Sequence, residues 1–120
     1  MARCRFAGPP LMGWLVLSVS AADGPQWRGL RRDGISLETG LLDVWPAGGP
    51  PQIWKAQGLG QGYAACAITQ GRLFTQGQRG DHQFVLALDA AQGKRLWETP
   101  AGPAFLQDRG DGPRGTPTVD

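Results

Sequence analysis

The sequence predicts an all-β chain. Three observations carry that expectation: short apolar runs alternate with Gly and Asp turn signals between residues 64 and 99, the segment ALDAAQGKRLW from Ala87 to Trp97 joins two such runs through a tight turn, and the pair Ile53-Trp54 returns as Leu96-Trp97 at an offset of 43 residues. Nineteen Gly and 10 Pro among 120 residues approach the level at which disorder competes with folding. Five tryptophans within strand-like segments argue against disorder, so Gly and Pro read as punctuation between short strands. With 41% hydrophobic residues the chain can build one modest core.

At the start, Arg3 and Arg5 precede an apolar run from Leu11 to Val19, and small residues follow at Ser18, Ser20, Ala21 and Ala22. That is the order of a secretory signal peptide, expected over residues 1–21 with cleavage after Ala21 and a periplasmic or secreted destination. The run is short for a bilayer span, so no stable membrane span is expected after cleavage, an uncleaved anchor being the alternative. Cys4 lies before the run, where a lipoprotein cysteine does not belong. Losing Arg3 and Arg5 leaves 10 Lys plus Arg against 10 Asp plus Glu, a neutral chain with no electrostatic reason to seek nucleic acid or an anionic membrane. Cys66 remains without a disulfide partner in the chain, and a buried thiol is expected over an intermolecular bridge.

Residues 22–51 read as an extended lead-in. Turn signals stand at Gly24-Pro25 and Asp33-Gly34, Trp27 is the anchor, and Arg28, Arg31 and Arg32 form a solvated turn. Ser36 to Gly40 is expected to make a single helical turn at most. Gln52 to Ala56 reads as a short strand. Four strands follow at about 64–69, 71–77, 82–89 and 94–99, with turns at Gln70-Gly71, Gly77 to Asp81, and Asp89 to Gly93. Period two puts Phe84, Leu86 and Leu88 on one face, and Gly93 supplies the positive φ that ends the last turn. Trp97 is expected to be buried, at a cost of about 3–5 kcal/mol on removal. Tyr63 to Ile68 matches Arg114 to Val119 at an offset of 51, and an eight-residue insertion in the loop Ala101 to Pro113 reconciles this with the offset of 43. That loop reads as surface, and its DRGDG run lacks the ligand spacing of an EF-hand. Trp54 and Trp97 are accordingly expected in like surroundings, and unlike surroundings would count against the repeat and everything built on it.

The spacing A-x-D-x-x-x-G-K-x-x-W, carried by Ala87, Asp89, Gly93, Lys94 and Trp97, resembles the tryptophan-docking motif of pyrroloquinoline-quinone-like β-propeller repeats, with Gln92 where that motif usually has Thr or Asn. The lead-in is similar to the W-P-Q-W-R-G-x-x-R-D-G opening of exported members at Pro25, Gln26, Trp27, Arg28, Gly29, Arg32, Asp33 and Gly34, with Gly24 in place of the first Trp. The first strand resembles the family's S-P-A-V segment, Cys66 standing where Pro is usual, and Arg114 falls in a segment that resembles P-R-G-T-P. The resemblance implies a partial β-propeller, incomplete in this chain: one full four-stranded blade at about 63–99, edge strands of neighbouring blades, and a second blade beginning near 115. It implies the rest of the propeller as partner, and in each blade a Trp packed against its neighbour.

Two functions follow from the resemblance. One is a rigid exported scaffold or binding module whose loops hold a protein or carbohydrate partner, as in the repeat-built lipoprotein of the outer-membrane barrel assembly machinery; Arg114 is its candidate contact. The other is a quinoprotein dehydrogenase that oxidises alcohols or sugars with pyrroloquinoline quinone and calcium in a full-length protein. The second needs a carboxylate base, calcium ligands and often paired cysteines; none maps here, so no catalytic, cofactor or metal residue is assigned. His82 reads as a solvent-exposed turn residue and Asp89 as structural.

A closed propeller takes roughly 4–8 blades of about 40–45 residues, more than this chain supplies. The sequence therefore reads as an amino-terminal fragment with unpaired edges at Gln52 to Ala56 and Pro117 to Asp120. Marginal stability and self-association are the expected outcome for residues 22–120, read by circular dichroism and sedimentation; a monomer that melts cooperatively contradicts it.

Overall fold

The computed structural model describes residues 22–120, so the signal-peptide expectation lies outside the described residues. Four antiparallel strands form one open sheet in the order of the chain: β1 (Ala67–Thr69), β2 (Arg72–Arg79), β3 (His82–Asp89) and β4 (Arg95–Pro103). No helix occurs among the described residues, and Ser36 to Gly40, expected to hold one helical turn at most, is irregular, with Ser36 Oγ accepting the Glu38 N–H at 3.2 Å.

The turns explain the meander. Gln70 and Gly71 both take positive φ, 50° and 71°, the pairing that a two-residue hairpin needs to match strand twist. The second turn is tighter than the sequence suggests. Gly77 lies inside β2, opposite Phe84, and the reversal falls at Gly80-Asp81. At the third turn Asp89 Oδ1 accepts the N–H groups of Ala91 and Gln92 at 3.0 and 2.8 Å, while Gly93, at φ 68°, donates its N–H to the Asp89 carbonyl.

Residues directly opposite in an antiparallel pair share a face. Register therefore puts Leu73, Thr75, Gly77, Phe84, Leu86 and Leu88 on the first face and Phe74, Gln76, Gln78, Gln83, Val85, Ala87 and Trp97 on the second. The core sits on the first face, where Phe84, Leu86 and Leu88 are buried beneath Ala56, Leu59 and Leu73. Each buried side chain of this size contributes about 1.5–3 kcal/mol. Residues 54–61 form the cover.

Gln52 to Ala56 is not a strand, contrary to expectation. The segment runs extended across the first face without joining the ladder until Gln61, which exchanges two backbone hydrogen bonds with Gln78 at 2.8 and 2.9 Å. Arg79 and Arg95 both donate to the Gly58 carbonyl at 2.9 Å, and both pair with Glu98. The lead-in crosses the outer edge of β1, where Gly24 and Ile68 exchange backbone bonds of 2.7 and 2.8 Å. Val119 donates to Pro25 at 2.9 Å, so the Pro117 to Asp120 stretch is not wholly unpaired.

Three burial expectations are corrected. Cys66 is exposed, because it lies in the irregular stretch before β1 rather than in the strand. Trp27 is exposed, with the Arg28 guanidinium 4.7 Å from its ring centroid. Trp97 is 42% exposed rather than buried, with the Phe74 ring beside it at a centroid distance of 6.0 Å.

Gly77 is fixed by the cover rather than by a turn: a Cβ there would run into the Leu59 carbonyl oxygen and come within 3.0 Å of the Phe84 ring. Gly77→Ala should therefore push residues 58–61 off the sheet and destabilise the fold by about 1–3 kcal/mol in urea titration. Gly48→Ala, with nothing within 4 Å of the added carbon, should stay within about 0.5 kcal/mol of the parent.

Candidate functional site

Two places on the sheet gather chemistry-bearing side chains. The first is the turn between β3 and β4. Trp54 lays its ring across Gly93, where a Cβ would sit 2.6 Å from the indole Cδ2, and its Nε1–H donates to the Ala90 carbonyl at 3.0 Å. Only glycine permits that approach.

Of the residues singled out by spacing, Ala87 is fully buried on β3 opposite Trp97, Asp89 caps the turn, Gly93 receives the ring, and the Lys94 carbonyl accepts the Asp89 N–H at 2.8 Å. The structure brings these backbones together. The tryptophan docked on the turn, however, is Trp54 and not Trp97, so the two indoles sit in unlike surroundings, contrary to the likeness expected of a 43-residue repeat. His82 is exposed and contacts the Asp81 carboxylate.

The second place is the loop after β4. Ala101 to Pro103, expected in the loop, extend β4 opposite His82 and Gln83, and the loop proper begins at Ala104. It is folded back onto the sheet. Ala104 donates to the Asp81 carbonyl at 2.8 Å, Phe105 N–H donates to the buried Gln78 Oε1 at 2.7 Å, and Gly112 donates to the Phe105 carbonyl at 2.9 Å. The Pro113 carbonyl then accepts the Tyr63 N–H at 2.8 Å. Gly112 and Pro113 are buried, so the loop is not purely surface as its composition suggests.

Folding back encloses a cleft of about 260 Å³ lined by Gln76, Gln83, Phe105, Gly112, Pro113, Arg114 and Gly115. Arg114 stands at its wall. Its guanidinium carbon lies 5.3 Å from the Tyr63 ring centroid, and Nη2 donates to the Gly110 carbonyl at 2.9 Å. Gln83 donates Nε2 to the Pro103 carbonyl at 2.8 Å. Sequence reasoning reached Arg114 but not Gln76, Gln83 or Phe105, and the only available signal was the polar residues at the tips of β2 and β3.

Among the described residues no three His, Cys, Asp or Glu side chains gather where they could hold a metal ion. In the DRGDG run, Asp111 Oδ1 accepts the Gln107 N–H at 2.9 Å. Among the described residues no helix is long and apolar enough to cross a membrane.

The fold defines the chain's class: all-β, one open four-stranded antiparallel sheet. No protein-family model, curated protein or solved structure matches it.

The two indoles make a direct comparison. Trp54→Ala should cost about 2–4 kcal/mol, below a fully buried tryptophan because Trp54 is only partly buried, and Trp54→Phe about 1 kcal/mol for the lost N–H bond. Trp97→Ala should cost about 1 kcal/mol or less. Urea melts followed by tryptophan fluorescence and circular dichroism check the order, which reverses if Trp97 carries the fold.

Proposed function

We propose that the chain forms a blade of an exported pyrroloquinoline-quinone-like β-propeller and works as a binding or scaffold module. The observation that carries this reading is the docking of Trp54 onto the Ala90 to Gly93 turn, one repeat's tryptophan seated on the next repeat's glycine turn. A four-stranded up-and-down sheet is compatible with a blade.

On this reading the second face, with Phe74, Val85 and the half-exposed Trp97, is where a following repeat packs, so that Trp97 meets a turn like the one that receives Trp54. Export rests on the order of charges and apolar residues in 1–21, and places the protein in the periplasm or outside the cell. Binding is assigned to the loop from Ala104 to Gly115 with Arg114, because it is the part of the molecule that the sheet holds in shape while leaving polar groups turned outward. The dehydrogenase reading gains no observation from the residues present.

The test uses the full chain on glycan and peptide arrays, alongside titration with pyrroloquinoline quinone and calcium followed by dye-linked alcohol oxidation. Array binding that Phe105→Ala abolishes, with sheet circular dichroism retained, is the expected result. Quinone-dependent turnover, or an array on which nothing binds through the loop, overturns the proposal.

A further inference from the structure

The cleft over the glutamine end of the second face carries a specific combination of groups. Phe105 is 43% exposed and offers an apolar ring. Gln83 has its Nε2 committed to Pro103, which leaves Oε1 as an acceptor. Gln76, on the neighbouring strand, adds a second amide to the lining.

Arg114 supplies the charge. Of its five N–H donors the contact with Gly110 uses one, and among the described residues it pairs with no carboxylate. It is nevertheless held in place, between the Tyr63 ring and the Gly110 carbonyl. A fixed guanidinium with unused donors matches a carboxylate, which accepts two parallel N–H bonds. Amides that donate and accept match hydroxyls, which do the same, and an aromatic ring matches the C–H face of a pyranose.

The cleft is open to solvent, and its volume of about 260 Å³ is room for one six-membered ring seated between these groups. We propose that this cleft binds the ring of a uronic acid, free or as a unit of an acidic polysaccharide: Arg114 takes the carboxylate, Gln76 and Gln83 the hydroxyls, and Phe105 the ring face. Tyr63 is a positioning residue that acts through Arg114. The inference rests on the binding function above and names the ligand of the same loop.

Titration calorimetry of the full chain with glucuronate, galacturonate, glucose, galactose, acetate and an oligogalacturonate tests it. The expected result is a uronate affinity at least roughly tenfold above that of the matching neutral hexose, since charge-assisted hydrogen bonds are about twice as strong as neutral ones. Arg114→Gln should erase that preference, and Phe105→Ala should weaken acid and neutral sugar alike. Tighter binding of the oligomer than of the monomer identifies the polysaccharide as source; equal binding identifies the free acid.

Equal affinity for acid and neutral sugars, full competition by acetate, or a uronate affinity indifferent to Arg114→Gln overturns the inference. Thermal melting of each variant separates loss of fold from loss of contact. If the arrays find a neutral glycan or a peptide on the loop while uronates do not bind, the ligand assignment falls and the binding function stands; if nothing binds the loop, both fall.

Discussion

The structure depends on one covering contact: a strap of irregular chain, residues 54–61, laid over the apolar face of a four-stranded sheet. A sheet this small, exposed on both sides, buries too little to offset chain entropy. The strap supplies the missing second layer, and the sequence is pared down to let it approach. Gly93 admits the Trp54 ring and Gly77 the Leu59 carbonyl, while Gly60, at φ 81°, sits where a Cβ would meet Gln78 and Phe84. Polar contacts then fix the strap in register. Two arginines share the Gly58 carbonyl, and Gln61 joins the Gln78 backbone. The arginine pairs with Glu98 are partly solvent-exposed and contribute modestly by themselves; their effect is to hold both guanidinium groups on Gly58.

The two faces of the sheet are consequently unequal. On the first, Leu86 and Leu88 lose nearly all contact with solvent, whereas on the second Trp97 and Leu96 nearby on β4 keep 42% and 47% of their surface exposed. Ala67 and Ala87 are fully buried on the second face. Trp97 has a partner ring at 6.0 Å and keeps 42% of its surface exposed, so it is not a core residue of this sheet. This is why the two indoles differ: one has a glycine turn to lie on, and the other does not.

Much of the sheet was legible in the sequence because it follows from local rules. Gln70-Gly71 and Asp89 to Gly93 carry their turn chemistry in their own side chains, and the alternation of Phe84, Leu86 and Leu88 states which face is buried. The misreadings involve non-local packing. Gly77 looks like a turn residue, yet it answers to Leu59, eighteen positions earlier; Trp97 looks like core, yet its burial depends on a surface outside its own hairpin. Cys66 was assigned to a strand that starts one residue later. The Ala101 to Pro103 stretch reads as loop by composition and still pairs with His82 and Gln83, because the β3–β4 ladder absorbs register shifts at Gln83/Phe84 and at Ala87/Leu88.

The cleft was the least legible feature, and its physics explains why. It exists because a buried polar side chain, Gln78, satisfies its carbonyl oxygen with a backbone N–H from 27 residues further along, and so draws Phe105 over the end of the second face. Leaving such a group unpaired would cost about 1–3 kcal/mol, enough to select one arrangement of an otherwise irregular loop. Nothing in the local sequence of either partner announces the bond. Once made, it turns a Gly-rich connection into a rigid wall: Gly112 closes back on Phe105, Pro113 ties to Tyr63, and Tyr63 in turn supports Arg114. The same strap that covers the core on one side, through Leu59 and Gln61, continues into Tyr63 and the cleft on the other. Core stability and the geometry of the proposed ligand site are thus set by one continuous segment, and a change that loosens the strap should be felt at both.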